Sequence, residues 1–118
     1  MYRFTSDLDL SHLKGGEVVE ISIVPFNLLI RLEDPNNHIN LCGKWRIRDS
    51  KGSTIDEGNL DKPKDSYRAH ILLKKKIASW QIPNEALLSI IFEDGFVLDI
   101  IDDSDEYECC HISPDIYV

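Results

Sequence analysis

The sequence predicts an α+β fold that is mainly β, with two antiparallel three-strand meanders joined by one helix. Most of the chain alternates apolar and polar residues with a period of two, which is typical of half-buried strands. Short segments rich in Gly, Pro, Asn and Asp separate these runs. With 118 residues, of which 42% are hydrophobic, the chain can bury one core, so we expect residues 1–118 to form a single domain.

The first meander is predicted in the front part of the chain. Its strands are expected at residues 16–26, 27–33 and 38–48, with a brief return at 54–57. In the third of these strands, Trp45 and Ile47 fall on one face, and Arg46 and Arg48 fall on the other. We expect the arginine face to point to solvent and to form ion pairs with neighbouring carboxylates.

A helix is predicted over residues 66–76. Asp65 or Ser66 can cap it, because a side-chain oxygen at this position accepts a free backbone N–H. Tyr67 and Ile71 are four residues apart and share one face. Three consecutive lysines follow, and cations in the last turn favour the negative end of the helix dipole.

The second meander is predicted behind this helix. Its strands are expected at residues 77–82, 86–93, 96–101 and 106–113. Asp94-Gly95 separates two of them and predicts a two-residue type I′ hairpin turn, in which both central residues need φ > 0.

The two meanders resemble each other in sequence, as residues 16–57 and 77–113. Leu28-Leu29-x-x-Leu32-Glu33-Asp34 matches Leu88-Ser89-x-x-Phe92-Glu93-Asp94 at an offset of 60 residues. An internal repeat explains this match, and chance similarity is the alternative. Two meanders curled around the helix would form a half-barrel or a small sandwich, which buries both apolar faces.

Charge is distributed unevenly along the chain. The last 42 residues contain ten carboxylates and no Lys or Arg, whereas the other 76 residues contain all 13 basic and 11 acidic side chains. The front part is therefore +2 and the back part −10, which gives the net charge of −8. A field of this sign attracts basic proteins and repels nucleic acids and anionic membranes.

No motif predicts catalysis, a metal or a cofactor. Cys42, Cys109 and Cys110 lack the spacing of a zinc site, and the acidic run at 102–106 lacks the glycine and the spacing of an EF-hand. We therefore expect a protein that is not an enzyme and holds no cofactor. The N-terminus has no apolar core of a signal peptide, so a cytoplasmic location is expected.

Two motifs carry a resemblance to known proteins: the stretch from Phe92-Glu93-Asp94-Gly95-Phe96 to Ile100, and Tyr107-Glu108 in the last predicted strand. Together they resemble small acidic β-rich bacterial immunity proteins of contact-dependent growth inhibition and polymorphic toxin systems. The resemblance is clearest over residues 77–112. Cys109-Cys110 stands where such proteins carry an aromatic residue. The resemblance implies toxin neutralisation and implies no catalytic residues.

Charge and resemblance lead to one functional hypothesis: an immunity protein that neutralises a basic nuclease toxin, preferably a ribonuclease. A nuclease needs basic residues to hold phosphate, so carboxylates can take the place of the substrate. The candidate partner-binding residues are Asp102, Asp103, Asp105, Glu106, Tyr107 and Glu108. The alternative is a structural or regulatory interaction module, or a homodimer paired through an exposed strand edge, without a toxin partner. A monomer is expected.

Overall fold

The computed structural model describes residues 3–62, 64–103, 109–114 and 116–118. Two short 3₁₀ helices, η1 (Ser11–Leu13) and η2 (Ala69–Leu72), each precede a set of five strands. Within the described residues the strands are β1 (Val18–Val24), β2 (Asn27–Leu32), β3 (His38–Leu41), β4 (Lys44–Arg48), β5 (Thr54–Asn59), β6 (Ile77–Asn84), β7 (Leu87–Phe92), β8 (Val97–Ile101), β9 (Cys110–Ile112) and β10 (Ile116–Tyr117).

The predicted mainly β fold is confirmed, but the predicted helix over residues 66–76 is wrong. Only the four residues of η2 are helical, and Lys74 follows with a φ of 72°, which a helix does not allow. The segment is instead bonded to β1: Lys74 N donates to Val18 O at 2.8 Å, and Val18 N donates to Lys75 O at 2.9 Å. These long-range backbone bonds outweigh the local helix propensity of the lysines.

The strands form two five-stranded sheets. Sheet A has the order β1-β2-β3-β9-β10, and sheet B has the order β5-β4-β8-β7-β6. The two predicted meanders are present as β1-β2-β3 and β6-β7-β8, and each is completed by a hairpin from the other half of the chain. Neither half therefore forms a sheet of its own. The radius of gyration, 12.9 Å, is that of one compact domain of this length.

The exchange of hairpins depends on a break in the predicted third strand. Residues 38–48 form two strands, β3 in sheet A and β4 in sheet B, which are separated at Cys42-Gly43. Cys42 N donates to Cys109 O at 3.0 Å, and Gly43 O accepts from Leu60 N at 3.0 Å, so the chain is bonded to both sheets at the crossing. Of the predicted strand 106–113, residues 106–108 lie outside the described residues.

The two halves of the chain make reciprocal hydrogen bonds, and the internal repeat itself stays a prediction. Val18 N donates to Lys75 O, and its counterpart Ile77 N donates to Gly16 O at 3.0 Å. Glu33 N donates to Glu17 O and Glu93 N donates to Lys76 O, both at 2.8 Å. In both pairs, a bond made by the first half has an equivalent from the second half, so an approximate two-fold axis relates these contacts at the bridge between Glu17 and Lys76.

The hairpin at Asp94-Gly95 is confirmed, but its predicted turn type is wrong. Gly95 has a φ of 91°, whereas Asp94 is not among the residues with positive φ. Phe92 N donates to Phe96 O at 2.8 Å, and Gly95 N donates to Phe92 O at 2.9 Å. The loop therefore has three residues with glycine in the left-handed position, which is the next most common hairpin form.

One hydrophobic core lies between the inner faces of the two sheets. Alternation places Leu28, Ile30 and Leu32 of β2 inward, and it does the same for Leu88, Ile90 and Phe92 of β7. The outer faces carry the polar positions of the same strands, and these two faces differ in their chemistry.

Candidate functional site

The structure places Asp102 in the interior rather than on the predicted partner-binding surface. Its side chain has a relative exposure of 0%, and Oδ1 lies 3.4 Å from Arg3 Nη1. Arg3 also donates to the Asp102 carbonyl oxygen, and Asp102 N donates to Ala86 O. A carboxylate without accessible surface cannot contact a partner, so the assignment of Asp102 to the binding surface is corrected: this residue has a structural role.

Asp103 is the only member of the predicted site that the described residues place at the surface. Its side chain is 47% exposed, and Oδ2 lies 2.5 Å from Lys44 Nζ. The other predicted members, Asp105, Glu106, Tyr107 and Glu108, lie outside the described residues.

The fold brings the basic front half and the acidic back half of the sequence together. Besides the pairs of Asp102 and Asp103, Lys75 Nζ lies 2.5 Å from Asp94 Oδ2, and two arginines of β4 contact Asp99 of β8. In each of these pairs the cation comes from the front half and the carboxylate from the back half. The strand order explains this, because β4 lies directly beside β8. The separation of charge along the sequence is therefore partly cancelled in space.

Asp99 is the centre of a buried ion-pair cluster on the outer face of sheet B. Its Oδ2 accepts from Arg46 Nε and Arg48 Nε, both at 2.8 Å, and its Oδ1 accepts from Ser89 Oγ at 2.7 Å. Burial alone would raise the pKa of Asp99, but the bonds from Arg48, Ser89 and Arg46 outweigh it and hold the pKa below its usual value. The expected ion pairing of the two arginines is confirmed.

The outer face of sheet A is concave and differs from that of sheet B. A concavity of about 580 Å³ lies over β1, β2, β3 and β9, within the usual range for ligand pockets. The strand register aligns one row of side chains across the sheet. Arg31, Pro35 and His38 also line the concavity. The row consists of Ser22, Leu29, Asn40, His111 and Tyr117.

Two histidines give this face its chemistry. The rings of His38 and His111 meet edge to face at 5.1 Å, and His111 stacks on Tyr117 at 4.3 Å. Burial, followed by the nearby His111 and Arg31, lowers the pKa of His38, which keeps its imidazole neutral at pH 7. His111 Nε2 is buried without a hydrogen-bond partner among the described residues. The face can therefore offer the neutral imidazole of His38 and the amide of Asn40 to a ligand or a partner.

Sequence reasoning missed this face because each histidine was assessed singly. The signal was present in the alternation: His38 and Asn40 occupy alternate positions of β3, and His111 occupies the outward position of β9. Their proximity depends on the pairing of β3 with β9, which joins residues more than 70 positions apart.

The adjacent thiols of Cys109 and Cys110 are buried inside the fold, whereas Cys42 is half-buried. Cys109 Sγ lies 3.9 Å from Cys110 Sγ, and both side chains are buried. The hydrogen bond from Cys109, together with burial, raises the pKa of Cys110 well above its usual value. A thiol in this state is a poor nucleophile, because the thiolate is the reactive form.

Comparison of the chain with models of protein families, with curated proteins and with solved structures found no match. Across the ranges that the structure describes, no helix has the length and apolar character needed to cross a bilayer. In the same part of the chain, no group of three or more His, Cys, Asp or Glu side chains is arranged to hold a metal ion.

Proposed function

We propose that this chain is an immunity protein that binds and neutralises a basic toxin in the cytoplasm, by preference a ribonuclease. The observation that carries the proposal is the position along the sequence of the excess negative charge. The described residues include all 13 basic and 17 of the 21 acidic side chains, so they account for −4 of the net −8. The other half belongs to four carboxylates near the C-terminus: Asp105, Glu106, Glu108 and Asp115.

The position of Asp103 supports a binding surface at this end of the chain. Asp103 follows β8, is half exposed, and directly precedes the run that contains Asp105, Glu106 and Glu108. Within the described residues several cations are already bonded to other carboxylates, as Arg46 and Arg48 are to Asp99. These cations are therefore engaged with carboxylates of the described residues, and we propose that the charge of the run acts on a partner.

A nuclease is the class of toxin that this charge fits best. Enzymes that cut RNA or DNA carry basic grooves for phosphate, and closely spaced carboxylates can occupy such a groove. Electrostatic complementarity also raises the association rate and disfavours wrong partners, which suits an inhibitor that must act before the toxin reaches its substrate.

The test uses two triple variants that have the same net charge. Both reverse three carboxylates and are measured for binding to the toxin domain encoded beside the gene, at several salt concentrations. The first variant carries Asp105→Lys, Glu106→Lys and Glu108→Lys. The control carries Asp61→Lys, Asp65→Lys and Glu85→Lys, which are exposed positions elsewhere on the surface.

We expect the first variant to bind roughly 10- to 100-fold more weakly at 0.15 M salt, since each lost surface charge pair is worth about 0.5–1 kcal/mol. Its affinity should also depend less on salt. The control should stay within about threefold of the unmodified chain. Equal losses in both variants would show that only net charge matters. If the unmodified chain neither binds the toxin domain nor protects cells that express it, the immunity function is rejected.

A further inference from the structure

Exposed hydrophobic side chains concentrate at one edge of sheet A. Among the described residues, six large hydrophobic side chains are exposed, and Tyr117 is the one that lies elsewhere. We call the remaining five the β1 edge: Val19, Ile23, Val24, Phe26 and Leu73. Contiguous exposed apolar side chains on a small protein mark an interaction surface.

The backbone of β1 is open along the same edge. β1 is the first strand of sheet A and pairs with β2 alone. Val24 faces Asn27 across a two-residue loop, so these two residues form a hydrogen-bonded pair. Hydrogen-bonded and non-hydrogen-bonded pairs alternate along an antiparallel ladder. The N–H and C=O groups of Ile21 and Ile23 therefore point away from β2. Beyond Val18, no backbone hydrogen bond among the described residues reaches this side of the strand. Such an edge is a template for another strand.

The second half of the chain provides an internal comparison. The strand equivalent to β1 is β6, which is the first strand of the second meander and the edge of sheet B. By the strand registers, Val19 and Val24 correspond to Ala78 and Asn84, and the turn residue Phe26 corresponds to Ala86. These three positions are large and apolar at the β1 edge and small or polar at the β6 edge.

The β6 edge is also protected by the chain itself. Phe4 N donates to Glu85 O at 2.9 Å, and Trp80 Nε1 donates to Leu8 O at 3.3 Å, so the N-terminal segment lies along this edge. Pro83 stands in a register shift of β6 and has no N–H to offer a further strand. One of two equivalent edges is therefore closed, and the other is left apolar and open.

Phe26 is the most unusual residue of the open edge. It has a φ of 68°, a left-handed conformation that favours glycine, and its side chain is 58% exposed. Proline at position 25 and positive φ at the next residue follow the pattern of a type II turn, whose third position normally holds glycine. Both the strain and the exposure disfavour phenylalanine in an isolated chain. Burial of the ring against a partner would offset them.

We infer that the β1 edge is a homodimer interface in which two copies of β1 pair in antiparallel orientation about a two-fold axis at Ser22. In this register Ile21 of each copy faces Ile23 of the other, and these are the residues whose backbone groups point outward. Sheet A then continues across the axis into sheet A of the second copy. The inference is independent of the proposed toxin binding.

The occupant is a second copy because the edge is complementary to itself. Lys74 N is bonded to Val18 O, which places Leu73 at the Val18 end of the strand, whereas Phe26 lies at the opposite end. The two-fold axis at Ser22 brings the turn that carries Phe26 of the second copy to the Val18 end, where Lys74 and Lys75 already bond Val18, so the paired stretch runs from Glu20 to Val24. Each exposed ring then approaches the exposed Leu73 of the other copy. An isologous interface requires this reciprocity.

Charge does not oppose this pairing locally, although each copy has a net charge of −8. Glu20 is the carboxylate within the paired stretch, and it contacts Ser22 Oγ at 2.5 Å and Arg31 Nε at 3.7 Å in its own chain. In the proposed register it faces Val24 of the second copy rather than a like charge. Charges farther away are screened, since the Debye length is about 8 Å at physiological salt.

The first experiment measures the mass of the full-length chain by light scattering over a concentration range from about 1 to 500 μM, where a small interface of this kind dimerises. We expect a concentration-dependent dimer. Val24→Lys and Phe26→Asn should each weaken it at least tenfold, and Asn is chosen because it tolerates positive φ. Tyr117→Lys removes an exposed hydrophobic residue away from the edge and should leave the dimer intact. Circular dichroism confirms that each variant is folded.

The second experiment tests the register. The proposed axis brings the two Ser22 residues together as a non-hydrogen-bonded pair with Cα atoms about 4.5 Å apart, a distance that a disulfide spans. Ser22→Cys should therefore form a covalent dimer under mild oxidation, whereas Ala78→Cys on the equivalent β6 edge should not. A chain that stays monomeric at 500 μM, or a dimer that Val24→Lys leaves unchanged, would overturn the inference.

Discussion

Removing the charge of Asp99 is expected to destabilise the protein strongly. Asp99→Asn keeps the shape of the side chain but leaves two arginines without their counter-ion. The carboxylate has no exposed surface, and it accepts bonds of 2.8 Å from Arg46 Nε and Arg48 Nε and of 2.7 Å from Ser89 Oγ. Few other positions of the outer faces combine such burial with so many charged contacts.

The expected magnitude follows from the burial of the three charges. Breaking a fully buried ion pair by removing one partner costs about 3–5 kcal/mol. The side chains of Arg46 and Arg48 are 36% and 31% exposed, so they can turn partly toward water. Solvent screening therefore reduces the expected loss to about 2–3 kcal/mol. For a chain of this size, that loss corresponds to a fall in Tm of roughly 6–12 °C.

Urea unfolding followed by tryptophan fluorescence measures the loss directly. Asp61→Asn is the matched control, because Asp61 is exposed and its replacement should change the free energy of unfolding by less than about 0.5 kcal/mol. A double variant that also carries Arg48→Met should lose less than the sum of the two single losses, by about 1 kcal/mol or more, since the two residues are in contact.

The pH dependence provides the decisive check. The folded-state pKa of Asp99 lies below the ordinary value of 3.8, so its contribution to stability is present above that pH and is lost as the pH falls through the folded pKa. The unmodified chain and Asp99→Asn should therefore converge in stability at acidic pH. A loss below about 1 kcal/mol at pH 7, or a difference that persists at low pH, would refute this account of the cluster.

Three further perturbations test other parts of the structure. Gly58→Ala should lower the free energy of unfolding in urea by about 1–3 kcal/mol, because the added Cβ would lie 3.2 Å from the ring of Trp45. In Gly43→Ala the added Cβ lies 3.4 Å from Cys109, an ordinary contact, so the loss should be smaller. The pKa of His38 in the folded chain is lowered, so its contribution to the free energy of unfolding is lost as the pH falls below 6.5. The variant His38→Asn should therefore show a smaller decline in the free energy of unfolding between pH 7 and 5. A pKa of His38 at or above 6.5 by NMR titration would contradict this. Cys110 should resist thiol reagents at pH 8 until the chain is unfolded, because the hydrogen bond from Cys109 and burial both raise its pKa. Rapid labelling of the native protein would show otherwise.

The strands were predictable because they depend on a local pattern. Alternation of apolar and polar residues located β1, β2, β7 and β8 to within two residues of their observed bounds. The helix over residues 66–76 was not predictable in this way. Its local signals were genuine, but Lys74 and Lys75 are bonded to Val18, and no local pattern reveals a partner more than 50 residues away.

The exchange of hairpins between the halves escaped prediction for a related reason. Residues 38–48 keep a continuous alternation, so they read as one strand although they contribute to two sheets. Gly43 marked the break, but the pattern does not say whether a glycine bends a strand or ends it. The distribution of charge along the sequence was misleading for the same reason. Because β4 lies beside β8, basic side chains from the front part of the chain pair with carboxylates from the back part.

The two sheets share an architecture and differ in the side chains on their outer faces. Strand pairing aligns Leu29, Asn40 and His111 across sheet A, and it aligns their counterparts Ser89, Asp99 and Arg46 across sheet B. In sheet B the row is closed by an ion-pair cluster that covers its own carboxylate. In sheet A the row stays open as a concavity.

The edges of the two sheets differ in the same sense. The β6 edge of sheet B is bonded to the N-terminal segment, whereas the β1 edge of sheet A is apolar and, beyond Val18, makes no outward backbone hydrogen bond among the described residues. The backbones of the two edges also differ, because β6 has a second register shift, which contains Pro83. Both differences leave sheet A more open than sheet B. Sheet A is the sheet on which contacts with other molecules are to be sought first.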